Sequence, residues 1–266
     1  MNYLMRISSR LKIICLNVWG GMAGASLTDF FVHHQDTDIF CLQEVYNGGG
    51  HTIPKMAAGK SLERVDAETF RKIQSTLPNH RAYFTPQYVS YLGLAIFVHR
   101  RVSVLDTGDL FVYGEEGYVS SLDVADHARK LQYVTIRTES GPMTILNIHA
   151  AWQAIGKTDT PERLEQSRTI IDFTDQFSHP LLLCGDFNLL PQTESIRMIE
   201  RAGWENLIRT FGITSTRTRL YEKEEQYADY VFVKNGVRVS VCETLSDIVS
   251  DHVPLFVECD TLLPLL

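Results

Sequence analysis

The sequence predicts an α/β fold of four layers, in which two mixed, largely antiparallel sheets pack face to face and helices cover their outer sides. Three observations support this prediction: short apolar runs recur along the chain, tight turns join some neighbouring runs, and amphipathic segments separate others. Tight turns indicate antiparallel pairing, whereas strand–helix–strand passages place helices on the faces of a sheet. A closed parallel barrel fits less well, because hairpins break the strict alternation of strand and helix.

The predicted strands are rich in Val, Ile and Leu and are bounded by turn residues. They span 11–18, 38–42, 92–99, 102–112, 131–137, 143–149, 181–184, 228–233, 237–244 and 253–258. Two hairpins are predicted among them. The segment VFVKNGVRVSV turns at Asn235-Gly236, which suits a tight turn of positive φ, and IRTESGPMTIL turns at Ser140-Gly141-Pro142.

Helical patterns are fewer and are predicted over 26–34, 61–77, 160–177 and 193–202. The third begins with Thr160-Pro161-Glu162, which supplies an N-cap hydroxyl, a proline at the first helical position and an acid in the first turn. Gly203 ends the fourth. Residues 47–60 are predicted to form a surface loop. Because this loop follows Glu44 directly, a role as a lid or substrate contact stays open beside that of a plain connection.

The composition predicts one domain over residues 1–266, with 44% hydrophobic residues and neither a linker nor a repeat. The formal net charge of −7 argues against a dedicated binder of long duplex DNA. Attraction to phosphate is therefore expected to be local, through a metal ion or a small basic patch. Arg100-Arg101 and Arg217-Thr218-Arg219 are candidates for such a patch, although short basic pairs also occur as plain surface.

The five cysteines lie within or beside apolar runs, and none has the spacing of a zinc site. We therefore expect buried free thiols, a reducing compartment and hence the cytoplasm. The N-terminal segment 1–20 is partly basic but has no long apolar region, and a run of about 18 apolar residues occurs nowhere. We expect neither a signal peptide nor a membrane segment, and no obligate protein partner is evident.

Polar residues suited to chemistry lie at one strand end after another. They are Asn17 in KIICLNVWG, Glu44 in DIFCLQEVY, His149 in TILNIHAAW, Asp186 and Asn188 in LLLCGDFNLLP, Asp229 in YADYVFV, and Asp251 and His252 in IVSDHVPLFV. Each alone has an ordinary explanation, such as a turn, a satisfied core histidine or a surface carboxylate. Together they indicate a single site, because strand ends on one side of a sandwich share an edge and their loops converge there.

The segment Gly185-Asp186-Phe187-Asn188 is the most informative of these strand ends. Alternation along an extended chain points Asp186 and Asn188 the same way, into one cavity, with Phe187 behind them. Gly185 allows a close approach of another backbone, since it has no Cβ. An Asx turn that closes the strand is the structural alternative, and geometry permitting, both can hold.

In this order, the segments LNVWG, LQEV, NIH, GDFN, ADYVF and SDH resemble the endonuclease/exonuclease/phosphatase superfamily, the DNase I-like metal-dependent phosphoesterases. The resemblance runs from about Leu11 to Val257. It implies the same four-layer sandwich, and it implies hydrolysis of a phosphate ester by in-line attack of water with Mg²⁺ (or Mn²⁺) as cofactor.

The resemblance also implies a metal site. Glu44 would bind the ion, Asn17 would lie beside it, and Asp251 would complete the shell directly or through water. A serine triad at Ser250-Asp251-His252 is excluded, because consecutive residues of an extended chain point to alternate sides.

The remaining residues would act on the phosphate. The resemblance implies that Asp186 orients or deprotonates the attacking water and that Asn188 donates to a phosphoryl oxygen. Asp229 would fix the ring of a cationic His252, and His149 would supply a second donor. Whether Asp186 or a histidine is the general base stays open, since coupled groups titrate together.

Two residues depart from the abasic-site endonucleases of that superfamily. Trp19 stands where many of them carry an acid, and His149 stands where they carry tyrosine. The histidine at this position resembles the DNase, sphingomyelinase and inositol phosphatase-like branches instead. Trp19 could stack on substrate or simply cap the core. Trp152 and Lys157 are further substrate-contact candidates, whereas Arg163 is expected to anchor its own helix by ion pairing.

The sequence thus predicts a metal-dependent hydrolase of a phosphate ester, with a phosphodiester favoured because two histidines can attend one phosphate. A phosphomonoesterase or a lipid or inositol phosphate hydrolase is the alternative on the same scaffold. A non-catalytic binding module is a third hypothesis, whose mark would be a lost acid or histidine. The phosphate-ester substrate itself, which could be a nucleic acid, is not decided by the fold.

Overall fold

The computed structural model describes residues 10–58 and 60–261. The strands are β1 (Leu11–Asn17), β2 (Ile39–Tyr46), β3 (Met56–Ala57), β4 (Lys60–Ser61), β5 (His80–Val89), β6 (Leu92–His99), β7 (Val104–Tyr113), β8 (Arg129–Thr138), β9 (Gly141–His149), β10 (Leu181–Asp186), β11 (Glu205–Asn206), β12 (Asp229–Lys234), β13 (Val237–Thr244) and β14 (Leu255–Thr261). The helices are α1 (Ala25–His33), α2 (Thr69–Thr76), α3 (Pro161–Thr174), α4 (Glu194–Arg201) and α5 (Leu207–Thr210).

The strands form two six-stranded sheets and one two-stranded ribbon, β3-β4. The first sheet has the order β13-β14-β1-β2-β6-β5, and the second has the order β11-β12-β10-β9-β8-β7. Strand β1 pairs with β2, and β9 with β10, in parallel. The other pairs are antiparallel. The predicted pair of mixed, largely antiparallel sheets is confirmed.

Side chains of β1 alternate between two cores, as a pleated strand requires. Ile13 and Cys15 pack between the two sheets, whereas Ile14 and Leu16 pack on the other face with the apolar residues of α1 and α2. Ile170 of α3 belongs to the core of the second sheet. Helices therefore cover both outer faces, which gives the four predicted layers.

A buried polar contact joins the two sheets. Gln43 Nε2 donates to Asn147 Oδ1 at 2.7 Å, and Asn147 Nδ2 donates to the Leu42 carbonyl at 3.0 Å. Gln43 and Asn147 are both fully buried. A buried amide that loses its partner costs about 1–3 kcal/mol, so this pair favours one register of the sheets over others. Gln43 directly precedes Glu44, and Asn147 lies two residues before His149 on its strand.

The hairpin predicted in VFVKNGVRVSV is wrong, although its turn is correctly placed. Asn235 and Gly236 have φ of 58° and 84°, as a tight turn requires. However, β12 pairs with β10 and β11 in the second sheet, while β13 pairs with β14 in the first. The turn thus carries the chain from one sheet to the other. The second hairpin is confirmed as β8-β9, with Glu139 and Ser140 between the paired residues Thr138 and Gly141.

The helix predicted over 61–77 is wrong in its first half, because α2 begins only at Thr69. Asp66 Oδ1 accepts a hydrogen bond from the Glu68 backbone N–H at 3.0 Å, which forms a turn there. Strand β5 was not predicted; it carries Pro86 and lies at a sheet edge, where a missing backbone donor is tolerated. Helices α1, α3 and α4 confirm the predictions, and Thr160 Oγ1 caps α3 by accepting from the Arg163 N–H.

All five cysteines are buried and free, as expected. Among the described residues, no helix has both the length and the apolar character to cross a membrane. The expectation about a signal peptide concerns residues 1–20, of which 1–9 lie outside the described residues.

Gly185 sets how closely β10 approaches its parallel neighbour β9. A Cβ at this position would lie 1.9 Å from the Ile148 carbonyl oxygen, and the φ of Gly185 is 146°. The register then places Asp186 opposite His149. The glycine between the apolar run and Asp186 is therefore what allows this carboxylate to lie beside the end of β9.

We expect Gly185→Ala to lower the free energy of unfolding by at least about 3 kcal/mol, because the methyl group meets backbone that cannot move aside. Gly236→Ala is the matched control, since its φ is also positive at 84° but nothing lies within 4 Å of the added Cβ. The control is expected to cost about 1 kcal/mol. Urea unfolding measures both, and equal losses would contradict the proposed close approach.

Candidate active site

One cleft at the edge of the sandwich contains most of the predicted site residues. They are Trp19, Glu44, His149, Trp152, Lys157, Asp186, Asn188, Asp251 and His252. Strands β1, β9 and β10 end at this edge on Asn17, His149 and Asp186, and β12 begins there on Asp229. Asn17 and Asp229 are buried and hydrogen-bonded to residues that line the cleft.

Three of the predicted site residues have a left-handed backbone. The φ angles of Trp19, Glu44 and Asn188 are 51°, 55° and 52°. Glu44 also lies where the register between β2 and β6 shifts, between Leu42 and Val45, which marks a bulge. Such conformations are uncommon for residues with a Cβ and often occur where a side chain must be aimed at a site. The backbone here directs these side chains out of the normal alternation of a strand.

The Asp186 carboxylate is the centre of the network. Its Oδ1 accepts from the Asn188 N–H at 2.8 Å, and its Oδ2 accepts from Asn17 Nδ2 at 3.1 Å. The Asx turn and the cleft-facing role predicted for Asp186 therefore occur together. Phe187 is buried against Tyr230 and Phe232, behind the two polar residues.

Asn17 joins the two sheets through its amide. Its Nδ2 donates to Glu44 Oε1 at 3.0 Å as well as to Asp186 Oδ2, while its Oδ1 accepts from the Trp19 N–H at 2.9 Å. The oxygen that would bind a metal thus faces backbone. In this orientation Asn17 holds two carboxylates in place, and direct ligation would require its amide to turn over.

His252 and Asp229 form a buried pair, with His252 Nδ1 lying 2.9 and 2.8 Å from the two oxygens of Asp229. Since a carboxylate only accepts, Nδ1 carries a proton. Nε2 lies 3.6 Å from Asp186 Oδ2 and 3.8 Å from Asp251 Oδ1. Burial and Arg217 oppose protonation of the ring, but Asp229, Asp251 and Asp186 outweigh them and raise the pKa of His252 above its usual value.

Arg129 favours the neutral form of His149, in contrast to the effect of Asp229 on His252. Arg129 Nη1 lies 3.2 Å from His149 Nδ1, so Nδ1 accepts and the proton of a neutral ring resides on Nε2. Nε2 lies 3.9 Å from Glu44 Oε1 and 3.8 Å from Asp186 Oδ2. Burial, followed by the charge of Arg129, lowers the pKa of His149 to about 3. The cleft therefore presents one neutral and one readily protonated imidazole.

Arg129 was missed at the sequence level. It opens β8, is 2% exposed and also donates to the Ala125 carbonyl at 2.8 Å. The available signal was its position: Arg129 shares a strand face with the buried Leu131, two residues on. A charged residue in the buried register of a strand requires a partner, but the sequence does not show which one.

A divalent cation fits the side of the cleft occupied by Glu44. Ligand atoms of Glu44, His149 and Asp186 lie within 4.8 Å of one another. Asp251 Oδ1 is buried with no hydrogen-bond partner among the described residues. Burial, with smaller contributions from Asp251 and Asp186, raises the pKa of Glu44. Carboxylates that repel one another, one of which has an oxygen without a donor, are a set that a hard cation stabilises. In a second group, Asp186, Asp229 and His252, the proton on His252 Nδ1 instead occupies the contact between His252 and Asp229.

Basic residues gather on one side of the cleft around Tyr221. Lys60 Nζ, Lys157 Nζ and the Arg217 guanidinium lie 5.7, 5.3 and 4.0 Å from the Tyr221 ring centroid. Arg217 Nη1 is 3.5 Å from Asp251 Oδ2. Burial, followed by Arg217, lowers the pKa of Lys157 to about 8. This cationic side is available to an anion bound in the cleft.

Two other basic residues singled out in the sequence, Arg101 and Arg163, are not among the residues that line the cleft. Arg101 pairs with Asp38, just before β2 begins, at the end opposite Glu44. Arg163 donates to the carbonyls of Gly156 and Thr158 at 2.7 and 2.6 Å, so it stabilises the segment before α3 by hydrogen bonds rather than the expected ion pair.

The predicted loop 47–60 faces the cleft, with Gly59 outside the described residues. It includes β3 and the start of β4, and Pro54, Ala57, Ala58 and Lys60 line the cleft. The Ala58 N–H donates to Asp123 Oδ1 at 3.0 Å, which ties the loop to the segment between β7 and β8. Lys60 Nζ reaches to 3.8 Å from Asp251 Oδ2. The position of the loop therefore favours a role in substrate contact over that of a plain connection.

Comparison with known proteins agrees with this arrangement. The model of the Endonuclease/Exonuclease/phosphatase family matches residues 14–252. No curated protein matches the sequence.

Similar solved structures include the following three. An endonuclease/exonuclease/phosphatase from Bacteroides vulgatus has a TM-score of 0.70 and 15% identity, covering 96% of this chain and 100% of its own. A mannosyl-6-phosphatase from Bacteroides thetaiotaomicron has a TM-score of 0.71 and 16% identity over 94% and 99%. D. rerio TDP2, complexed with a single-strand DNA product, has a TM-score of 0.67 and 14% identity over 95% and 100%. At these identities the likeness shows the fold.

The two histidines are expected to titrate on opposite sides of the ordinary histidine pKa. In metal-free protein, ¹⁵N NMR should show His149 neutral and protonated on Nε2 down to about pH 4, since its pKa is lowered to about 3. His252 should titrate above the ordinary value of about 6.5. In Arg129→Gln the His149 pKa should rise. Arg137→Gln, exposed at the other end of β8, is the control.

The same two pKa shifts determine how the stability of the folded protein changes with pH. Below about pH 6.5 the unfolded chain protonates His149 while the folded chain does not, so this residue reduces stability increasingly as the pH falls. His252 contributes stability that is complete below about pH 6.5 and is lost as the pH rises through its folded pKa. A His149 ring that titrates near 6.5 in the parent protein is the result that contradicts this assignment.

Proposed function

The chain belongs to the endonuclease/exonuclease/phosphatase family, and we propose that it hydrolyses a phosphate ester in this cleft, with Mg²⁺ or Mn²⁺ as cofactor. The observation that carries the proposal is the pair of imidazoles in different states around one buried carboxylate. His149 Nε2 and His252 Nε2 lie 3.8 and 3.6 Å from the same oxygen, Asp186 Oδ2. Two donors that lie on either side of one carboxylate can both reach the oxygens of a phosphoryl group bound next to Asp186.

The histidines hold the phosphate in this proposal. Neutral His149 donates from Nε2, because Arg129 occupies Nδ1 as a donor. His252 donates from Nε2 as a cation, and Asp229 stabilises that charge through Nδ1. The side chain of Asn188, on its left-handed backbone, supplies a further donor to the phosphoryl oxygens. Charge that develops on the phosphate in the transition state is met by donors already fixed in place.

Asp186 orients the attacking water. Its pKa lies well below its usual value, since the charge of His252, together with that of Arg217, outweighs the effect of burial. It is therefore anionic at working pH, and its Oδ2 accepts the water proton in a fixed direction. Asn17 prevents the carboxylate from rotating by donating to the same oxygen at 3.1 Å. This arrangement favours Asp186 over either histidine as the residue that directs the nucleophile.

The metal would be held by Glu44 and Asp251. A divalent ion there would supply charge neutralisation at the phosphoryl oxygen and the leaving group. Lys60 and Arg217, which lie 3.8 and 3.5 Å from Asp251 Oδ2, would align that carboxylate and offset part of its charge.

A phosphodiester suits one neutral and one charged imidazole, because a diester carries a single negative charge. A strand of nucleic acid is one such substrate. The second candidate is a phosphomonoester, including a lipid or inositol phosphate, and the cationic side formed by Lys60, Lys157 and Arg217 favours it, since a monoester carries more charge. The buried free cysteines support a reducing compartment, the cytoplasm, as the site of action.

Hydrolysis of bis-p-nitrophenyl phosphate with Mg²⁺ or Mn²⁺ tests the proposal. We expect turnover that EDTA abolishes and that Asp186→Asn reduces by on the order of 10³, the loss typical of a residue acting in the transition state. Asp172→Asn, exposed on α3, is the matched control. Equal rates in the parent and Asp186→Asn would contradict the role of Asp186, and no turnover of any phosphate ester would favour a binding module. A panel of DNA, RNA, sphingomyelin, inositol phosphates, nucleotides and mannose 6-phosphate then identifies the substrate.

Metal binding is tested separately from turnover by thermal unfolding. A cation at about 100 times its Kd should add about 2.7 kcal/mol to the stability of the parent protein. Glu44→Gln should lose this gain, yet without metal it should be at least as stable as the parent, because burial opposes the Glu44 charge. Glu63→Gln, on the surface, should behave as the parent. An undiminished metal effect in Glu44→Gln would exclude Glu44 as a ligand.

A further inference from the structure

A group of aromatic rings lines the cleft in addition to the residues around Tyr221. Tyr46, Tyr88, Tyr91 and His127 form this aromatic wall beside Leu92, and all five residues line the same cleft as the candidate catalytic residues. Tyr88 and His127 stack with centroids 3.9 Å apart, and Tyr46 and Tyr91 stack at 6.3 Å. The wall is built by both sheets, since Tyr46 ends β2 and Tyr88 lies in β5, while His127 precedes β8.

His127 has an acceptor that the protein does not use. Its Nδ1 lies 2.7 Å from the Val124 carbonyl oxygen, which can only accept, so Nδ1 carries the proton. Nε2 of the neutral ring is then an acceptor, and this buried atom has no partner among the described residues. Burial, followed by the charge of Arg129, lowers the pKa of His127 well below its usual value, so the ring stays neutral. A buried acceptor left unpaired is costly and indicates a partner that the chain itself does not supply.

The wall adjoins the place proposed for the phosphate. His127 lies two residues before Arg129, whose guanidinium contacts His149 Nδ1 at 3.2 Å and Gln87 Oε1 at 3.3 Å. Gln87 in turn directly precedes Tyr88 and donates to the His149 carbonyl at 3.2 Å. A group attached to a phosphate beside His149 therefore extends along this wall or, in the other direction, along the cationic side.

We propose that the aromatic wall is a subsite for a planar aromatic group esterified to the phosphate, and that an N–H or O–H on the edge of this group donates to His127 Nε2. The proposal rests on the proposed function, since it needs the phosphate beside His149. Tyr88 and Tyr91, both partly buried, offer ring surface to such a group. An aliphatic ester would fill the same space without stacking or the hydrogen bond.

Non-hydrolysable phosphonates test the subsite by calorimetric binding to the metal-loaded protein. We expect phenylphosphonate to bind about tenfold more tightly than methylphosphonate, as stacking and ring burial provide, with cyclohexylphosphonate between them. 4-Aminophenylphosphonate should gain a further factor of about three from a donor on the ring. If the phenyl and methyl compounds bind equally to the parent protein, the subsite is excluded while the phosphate site stands. If no phosphonate binds, the proposed function fails and the subsite with it.

Variants separate the two parts of the subsite. Tyr88→Leu should bring the phenyl preference down to that of the cyclohexyl compound, and Tyr91→Leu, at the rim, gives the same readout should Tyr88→Leu not fold. His127→Phe should keep the phenyl preference but lose the gain from the amino group. Tyr133→Leu, packed on Phe173 away from the cleft, is the matched control and should retain both effects. A phenyl preference that survives both tyrosine substitutions would place the aromatic group elsewhere.

Discussion

A single carboxamide, that of Asn17, determines how the two sheets meet at the cleft. It donates at 3.0 Å to Glu44 from its own sheet and at 3.1 Å to Asp186 from the other. The buried Gln43–Asn147 contact next to it favours the same register. Apolar side chains between two sheets tolerate sliding, whereas buried amides and carboxylates lose about 1–3 kcal/mol for each partner that is displaced. The cleft therefore depends on a few polar contacts within an otherwise apolar interface.

Because of this register, the two imidazoles have different hydrogen-bond partners. His149 receives a hydrogen bond from a cation, Arg129, whereas His252 donates to an anion, Asp229. Identical side chains thus acquire opposite protonation preferences because of one neighbour each. In the proposed function they act around Asp186 as one neutral and one charged donor, and Glu44 and Asp251 would hold the divalent ion. Left-handed backbone at Trp19, Glu44 and Asn188 is the local conformational cost of aiming these groups.

Much of this could be predicted from the sequence, since the polar residues follow apolar runs and strand ends of one edge converge. The partners that determine the protonation and orientation of these polar residues could not be predicted. Arg129 looks like any residue at the start of a strand, and only the fold brings it to His149. The Asn235-Gly236 turn specifies its own φ angles but not which sheet each flanking strand joins, because that is decided by β10 and β14. Likewise Pro86 argued against a strand at β5, because proline lacks a backbone donor. Strand β5 tolerates it because it lies at the edge of its sheet. Local signals predicted local structure, and long-range pairing decided the remainder.

The most direct test of the metal site is anomalous diffraction from crystals grown with Mn²⁺, together with a phosphonate. We expect a peak bound by Glu44 on the side of Asp251, with His252 still paired to Asp229. A peak between Asp186, Asp229 and His252, which form the other cluster of candidate ligands, would contradict this assignment. In that case His252 could not act as the charged donor, because the ion would take the place of its proton.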